Sequence, residues 1–239
     1  MLKDALWLMR RICFSTRFGI IFTTLFYLVY GAVAGLMTNA VRDPENDWLE
    51  LFIIDIVMAT FMSSVGFVFI KDYFQPYWQK DTFTRSLATL RVLPIPVETL
   101  ALSRLIQILV FSPVTTFMFF FGFYVLSGWA KEIPFGLFLA FILCWFAYGN
   151  ACSGLLVLAE WGASGKRYMV FSFLIILLML VVIAVIYVWT GYTVSGALVF
   201  LLQQPFGWLW PVLALAAAAG VHIWSQRRLR AILSSRDFA

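Results

Sequence analysis

Apolar and polar positions along this chain are arranged in long blocks. Six apolar blocks approach or reach the length of about 20 residues that crosses a bilayer as a helix. They lie at residues 20–38, 49–70, 105–126, 135–158, 169–189 and 208–224. The polar segments between them are too short for a separate soluble domain. The pattern predicts an all-α polytopic membrane protein, in which residues 1–239 form a single transmembrane domain with six transmembrane helices.

Residues 1–17 follow a different pattern. Apolar side chains recur there at i, i+3, i+4 and i+7, while Lys3, Arg10 and Arg17 occupy the opposite face at seven-residue steps. This pattern predicts an amphipathic helix that lies on the membrane surface. A cleaved signal peptide is the alternative. The basic residues interrupt the apolar stretch and no small-residue cleavage site follows, so the interfacial helix is favoured.

Two further segments lie towards the C-terminus. Residues 190–207 are mildly apolar but too short to cross a bilayer twice, and they predict a re-entrant or surface segment before the last span. Residues 225–239 are rich in arginine and predict a basic tail after the last span.

The longest polar interval covers residues 71–104, between the second and third predicted spans. Asp81 or Thr82 can cap a short helix here, and this helix would end near Val92. Its apolar stripe and the two flanking cations are Phe83, Leu87, Leu90, Arg85 and Arg91. An ordinary solvated loop with a surface helix is the alternative, and the pattern alone does not separate the two.

Two prolines follow this short helix. Proline lacks an N–H and restricts the residue before it, so Pro94 must end the helix. Pro96 suits the first turn of a new helix that leads into the third span. The interval is therefore predicted to end in a stiff corner.

Composition and charge agree with a membrane protein. Only 12% of the residues are charged, about half the share typical of a soluble domain. Fifteen of the 17 lysines and arginines lie on one side of the predicted topology, and Arg42 and Lys131 are the two on the other side. This asymmetry predicts a plasma membrane protein with both termini in the cytoplasm. Contact with anionic lipid headgroups explains the net charge of +5 without nucleic acid.

The sequence offers little for catalysis. It has no GxxxxGK[ST], HExxH or GxSxG motif, and its single histidine, His222, lies near the end of the last span. Cys13, Cys144 and Cys152 lie in apolar helical segments without metal-ligand spacing. We therefore expect no enzymatic activity, no metal and no cofactor on this chain.

Asp55 is the one acidic residue well inside a predicted span. A carboxylate in lipid costs about 2.5 kcal/mol unless it is paired or hydrated. Asp55 should therefore face the bundle interior or a watery vestibule. A structural hydrogen bond to Tyr27 or Tyr30 and a place in the transport path are the two alternatives.

Two groups of small or polar residues lie within the spans. The fourth span carries Tyr148, Asn150 and Ser153, which suit either tight helix packing or a substrate-facing surface. The first span carries GAVAG, in which Gly31 and Gly35 form a GxxxG motif that allows close helix approach. We consider this glycine face a candidate dimer interface.

The order of these elements resembles the ABC-2 type permeases, the membrane subunits of ABC exporters. The sharpest match is SLATLRVLPIPVETLALSRLI at residues 86–106: a leucine-rich short helix, a proline corner and a helix with a basic residue at Arg104. Unlike well-known members, this chain has only short external loops. The substrate class therefore stays open among peptides, drugs, lipids and glycans.

The resemblance implies partners and a coupling role. ATP and Mg²⁺ would bind a separate cytoplasmic ABC ATPase, and a second copy or a paralogue of this chain would complete a dimer. The short helix would be the coupling helix that contacts the ATPase. The implied contact residues are Phe83, Arg85, Leu87, Leu90, Arg91, Pro94 and Pro96.

Two other functions stay open. Six spans could form two three-span halves of an ion-coupled secondary transporter, which should show embedded charges or broken helices at matching places in both halves. Asp55 has no counterpart in the second half, so the exporter subunit is favoured. A membrane scaffold or immunity protein that transports nothing is the third possibility.

Overall fold

The structure, a computed structural model, describes residues 2–14, 17–42, 48–68 and 95–235. All regular secondary structure within these residues is helical. In chain order the helices are α1 (Leu2–Phe14), α2 (Arg17–Ala40), α3 (Trp48–Met62), α4 (Val97–Leu126), α5 (Gly128–Glu132), α6 (Phe135–Gly162), α7 (Gly165–Thr190), α8 (Val194–Gln203) and α9 (Leu209–Ser235).

Five of these helices, α2, α4, α6, α7 and α9, are long and apolar enough to cross a membrane. The architecture is therefore compatible with a polytopic protein embedded in a membrane. The sequence predicted one further span, the second in chain order, over residues 49–70. In the structure α3 has 15 residues, which corresponds to a length of about 22 Å.

The helix α3 ends early because the residues after it favour a turn. Residues 63–66 form this turn, and Gly66 has a φ of +90°, a conformation that strains side chains with a Cβ. The Ser63 hydroxyl donates to the Thr60 carbonyl at 2.7 Å, and the Ser64 hydroxyl donates to the Phe61 carbonyl at 3.2 Å. Such local bonds compete with helix continuation. A segment predicted as one span is thus a helix followed by a break.

The last helix is longer than predicted. The sequence placed the end of the sixth span at residue 224 and a basic tail after it, but α9 continues to Ser235. Leu229 and Leu233 are fully buried and pack with Ala101, Ile108 and Val157 of α4 and α6. Burial of this apolar face extends the helix, while Arg227 and Arg228 on its other side stay exposed. The first part of the predicted tail therefore belongs to the bundle.

The glycines of α2 bring it against α4 of the same chain. A Cβ at Gly31 would overlap the carbonyl oxygen of Phe119, and one at Gly35 would lie 2.8 Å from the carbonyl oxygen of Phe123. Gly122 of α4 meets α2 in the same way. The predicted close approach is present, but its partner is α4. This glycine face is not available to a second copy of the chain.

The amphipathic helix α1 packs on the bundle through Ala5, Leu8 and Met9, which are buried. Met9 lies in a cluster with Val68, just after the break, and Phe111 of α4. The basic side chains Lys3 and Arg10 are exposed on the opposite face, as the seven-residue spacing of these residues predicts. The helix is therefore anchored to α4 rather than to lipid alone.

We expect Gly31→Leu to destabilise the monomer, because the new side chain would collide with backbone atoms of α4 that have no room to move. Overpacking typically costs about 1–3 kcal/mol. Denaturant unfolding in detergent measures the effect. Gly220→Leu is the matched control, since a Cβ at this position on α9 meets nothing within 4 Å. Equal stability of both variants and the wild type would contradict the α2–α4 contact.

Candidate functional site

The candidate site is the set of polar groups around α3 and its break. At its centre Asp55 is fully buried. Its Oδ2 accepts the backbone N–H of Val194 at 2.6 Å, and its Oδ1 accepts that of Ser195 at 2.7 Å. These are the first two amides of α8, where unbonded N–H groups and the helix dipole favour a negative charge. The carboxylate therefore caps α8 from a different helix.

The same helix start has a second, local cap. The Thr193 hydroxyl accepts the N–H of Gly196 at 3.1 Å. Together, Asp55 and Thr193 bond three of the four N-terminal amides that a helix leaves open. Three open amides at the start of α8 are thus bonded by a side chain of α3 and by the cap residue of α8 itself.

Asp55 lies inside the bundle, but its partners differ from the two tyrosines considered above. The Tyr27 hydroxyl donates to the Ser64 carbonyl at 2.8 Å. The Tyr30 ring packs on the Phe61 ring with 4.3 Å between centroids. The capped helix α8 follows Asp55 by about 140 residues along the chain. No local sequence pattern predicts this contact.

Backbone carbonyls in the break after α3 accept hydrogen bonds from side chains of two other helices. The Ser64 carbonyl accepts from Tyr27 of α2, and the Val65 carbonyl accepts from the Ser153 hydroxyl of α6. The Ala59 carbonyl, in the last turn of α3, accepts from the Tyr148 hydroxyl at 3.1 Å. Irregular backbone at membrane depth is tolerated when protein groups bond it in this way.

These bonds show what the polar patch of α6 does in the structure. Besides Tyr148 and Ser153, the Asn150 amide oxygen accepts from the Ser112 hydroxyl of α4 at 3.0 Å. Between them Gly149 is so close to Met62 that a Cβ would overlap its carbonyl oxygen. Tyr148, Asn150 and Ser153 thus all join α6 to neighbouring helices. This corresponds to tight helix packing, one of the two roles that the sequence left open for them.

A buried ion pair joins α4 to α6 at the other end of the site. The Arg104 guanidinium donates to Glu160 Oε2 through Nε at 3.1 Å and through Nη2 at 2.6 Å. Their side chains are 4% and 2% exposed. The guanidinium also lies over the Phe67 ring, 5.0 Å from its centroid. This pair joins three segments: α4, α6 and the residues after the α3 break.

The sequence reading missed this ion pair because it ended the fourth span at residue 158 and placed Glu160 in a loop. The structure continues α6 to Gly162. A signal was present: Asn150, Ser153, Val157 and Glu160 recur at steps of three and four, which is one face of a helix. All four are buried.

The predicted coupling helix lies outside the described residues, as do Phe83, Arg85, Leu87, Leu90, Arg91 and Pro94. Pro96 is described and immediately precedes α4. Its carbonyl accepts the N–H groups of Thr99 at 2.9 Å and Leu100 at 3.1 Å. The helix after the prolines thus begins at Val97, as the prolines predict.

Comparisons with known proteins give no match to a family model, to a curated protein or to a solved structure. The resemblance to ABC-2 permeases therefore depends on residues 86–106 and on the order of the helices.

We expect Asp55→Ala to loosen the start of α8, because it removes the acceptor of two buried amides. Hydrogen bonds to a charged group contribute about 1.5–3 kcal/mol, so amide exchange at Val194 and Ser195 should accelerate at least tenfold. Hydrogen exchange by mass spectrometry in nanodiscs measures this. Thr60→Val is the control, since the Thr60 hydroxyl bonds within α3, to the Ile56 carbonyl. Unchanged exchange in α8 would contradict the cap.

We expect either half of the buried ion pair to be costly to remove alone. Arg104→Met or Glu160→Leu leaves the other charge buried, at a cost of about 3–5 kcal/mol. The double variant removes both charges and should be more stable than either single variant. A double-mutant cycle from denaturant unfolding tests this. Additive losses in the double variant would show that the two residues are not coupled.

Proposed function

We propose that this chain is the membrane-spanning permease subunit of an ATP-driven ABC exporter. It would form the substrate path as a dimer and couple to a separate cytoplasmic ATPase that binds ATP and Mg²⁺. One observation supports the proposal: the order of the described helices resembles that of the ABC-2 permeases. An amphipathic helix, two bundle segments, a polar interval and a proline-initiated helix are followed by α6, α7, the short α8 and α9.

The course of residues 48–68 supports six crossings. Trp48 begins α3 beside Tyr187, near the end of α7, with 5.7 Å between ring centroids. After the break, Val68 packs with Met9 and Phe111, close to where α2 begins. The helix and the residues after its break therefore extend across the bundle together. With six crossings, both termini and the polar interval would lie on the basic side, which would be cytoplasmic.

The contacts of α4, the helix that follows the polar interval, support a coupling role for this interval. Along the chain, the polar interval follows Val68 and leads into α4, which begins directly after Pro96. Helix α4 has 30 residues and continues through Pro113. It contacts α2 through the glycines and α6 through the ion pair of Arg104 and Glu160. A movement imposed on the interval would thus reach both neighbours through close contacts.

Helix α3 supports the same role from the other end of the interval. It leads into the interval after its break, and Asp55 joins it to α8 on the far side of the bundle. Movement of α3 would therefore move α8. In this scheme Asp55 positions α8 instead of binding substrate.

The structure favours this function over a secondary carrier built from inverted repeats. In such a carrier the broken helix α3 would correspond to α7, the middle helix of the second half. Helix α7 is uninterrupted from Gly165 to Thr190. The break and the buried acid of the first half thus have no counterpart there.

The second copy would bind a face that the bundle leaves open. Helix α7 buries only Gly165 and Ile183 among its 26 residues, and large apolar side chains such as Phe173, Leu177 and Leu178 are more than half exposed. The glycine face of α2 is covered by α4. We therefore place the dimer contact on α7.

We expect Leu87→Asp to release the ATPase while leaving the permease folded in the membrane, because it puts a charge into the apolar stripe of the coupling helix. The chain is purified from its own host membranes in mild detergent. Labelling with azido-ATP then detects a second, nucleotide-binding polypeptide, and ATP hydrolysis by the sample is measured.

Ala88→Asp is the matched control, since residue 88 is one position along and turned away from the predicted stripe. Labelling retained in the control and lost in Leu87→Asp supports the proposal. A purified chain without any labelled partner would overturn it, and so would equal labelling of both variants.

A further inference from the structure

A shallow groove of about 280 Å³ lies on the first turns of α7. Two cations and three apolar residues line it: Lys166, Arg167, Val170, Phe171 and Leu174. Val170 and Leu174 are 55% and 54% exposed, Phe171 is 39% exposed, and both cations are exposed. From Lys166 to Leu174 the helix rises about 12 Å. The groove therefore changes from charged to apolar along its length.

The charged end of the groove is also the end of a membrane-length helix. Helix α7 begins at Gly165 and is long and apolar enough to cross a membrane. Side chains of a helix lean towards its N-terminus, and lysine and arginine extend their charged ends towards water and headgroups. Lys166 and Arg167 would thus reach headgroup level, with the three apolar residues of the groove beside the acyl chains.

The two cations have no acidic partner in the described part of the chain. Glu160, the closest acidic residue in sequence, bonds Arg104 instead. Neither Lys166 nor Arg167 forms an ion pair with an acid that the structure describes. Two like charges beside one groove repel each other, and an anion between them offsets this repulsion. The charged end of the groove therefore fits a negative group.

The chemistry of the groove narrows the kind of anion. A guanidinium presents N–H groups in a plane that matches phosphate oxygens, and an ammonium acts as a compact point charge that also binds phosphate. The apolar end fits hydrocarbon: an engineered apolar cavity of about 150 Å³ holds benzene, so this groove has room for a section of an acyl chain. A phospholipid carries both parts, whereas a soluble phosphate lacks the chain.

We propose that this groove binds one phospholipid with a net negative headgroup, such as phosphatidylglycerol. Its phosphate would lie between Lys166 and Arg167, and an acyl chain would lie along the three apolar residues. In a zwitterionic lipid the cation of the headgroup offsets the phosphate charge, so such a lipid binds more weakly. The site is independent of the exporter assignment, because it depends only on the first turns of α7. The rest of the exposed face of α7 stays open to the proposed second copy.

A spin label on a lipid chain tests this proposal. The full-length protein carries ¹³C-labelled methionine methyls and Leu174→Met, a substitution that conserves volume. It is placed in phosphatidylcholine nanodiscs with increasing fractions of phosphatidylglycerol that has a nitroxide on one acyl chain. The relaxation of the new methyl group reports labelled lipid in the groove. The same label on phosphatidylcholine gives the comparison.

Relaxation enhancement at the Leu174→Met methyl should saturate with labelled phosphatidylglycerol and rise only linearly with labelled phosphatidylcholine. Adding Lys166→Gln and Arg167→Gln should lower the affinity for phosphatidylglycerol about 25-fold, because each cation near a membrane surface contributes about a factor of five. Arg227→Gln with Arg228→Gln is the matched control. It removes two adjacent exposed cations from α9 and should leave the saturation unchanged.

A second reporter separates a defined site from general attraction of anionic lipid to basic residues. Ile223 is 55% exposed on α9, one turn before Arg227. The Ile223→Met methyl should respond linearly to both labelled lipids. Saturation there as well, or equal losses in the two double variants, would show general attraction and overturn the groove as a site.

Three further outcomes would overturn the proposal. Equal enhancement by the two lipids at the Leu174→Met methyl would remove the selection for a negative headgroup. Displacement of labelled phosphatidylglycerol by inorganic phosphate would show a site for soluble anions. Enhancement no larger than at buried Met58 with either lipid would show that protein, such as a second copy, covers the groove.

The test does not depend on the charge variants alone. Unchanged signals of buried Met58 and Met62 establish that each variant is folded. On the reporter protein without charge substitutions, about 1 M salt should weaken the enhancement by phosphatidylglycerol, since salt screens exposed charges. The enhancement by phosphatidylcholine should stay the same. Enhancement by phosphatidylglycerol that is insensitive to salt would overturn the role of the two cations.

Discussion

Within a bilayer, a backbone N–H or C=O that leaves a regular helix must find a partner in the protein. This requirement governs the bundle around α3. The helix ends at Met62, and the carbonyls of Ser64 and Val65 in the turn after it are bonded by Tyr27 and Ser153 from two different helices. Seven residues before its end, Asp55 supplies the acceptor that α8 needs. Each side chain satisfies backbone groups that water would satisfy in a soluble protein.

A comparison of two ion pairs shows how location decides the contribution of a charge. Arg42 and Glu132 pair near the loops, with side chains 34% and 60% exposed, and such pairs contribute little, about 0–1 kcal/mol. Arg104 and Glu160 are almost fully buried. Removing either of these two leaves an unpaired charge in an apolar environment. The buried pair therefore holds the ends of α4 and α6 in one arrangement.

These contacts join neighbouring helices of the bundle to one another. Helices α2 and α4 are joined backbone to backbone at Gly31, Gly35 and Gly122. Helix α4 is joined to α6 by the ion pair, and α3 to α8 by Asp55. Most of the polar interval lies between α3 and α4 along the chain. In the proposed exporter, a partner that pushes on the interval would act on α3 and α4, and through them on the helices that they contact.

The sequence by itself determined the helical class, the approximate positions of the long apolar helices and the start of α4. The long helices follow from apolar runs of membrane length, and the start of α4 follows from a proline without an N–H. The amphipathic character of α1 likewise follows from a seven-residue charge spacing. It also determined that Asp55 must avoid lipid, because the cost of a charge there is independent of its neighbours. The partners of Asp55 were decided by the fold.

Tertiary structure alone decided which groups meet. The carboxylate of Asp55 and the amides of α8 are far apart along the chain, as are Gly31 and Phe119, or Arg104 and Glu160. A GxxxG motif specifies a close approach but not the helix that makes it, so the glycines of α2 face α4 instead of a second copy. The break after α3 and the helical end of α9 depend on the same cause. Tyr27 and Ser153 donate to carbonyls in the break, and the burial of Leu229 and Leu233 extends α9. These contacts exist only once the helices are packed.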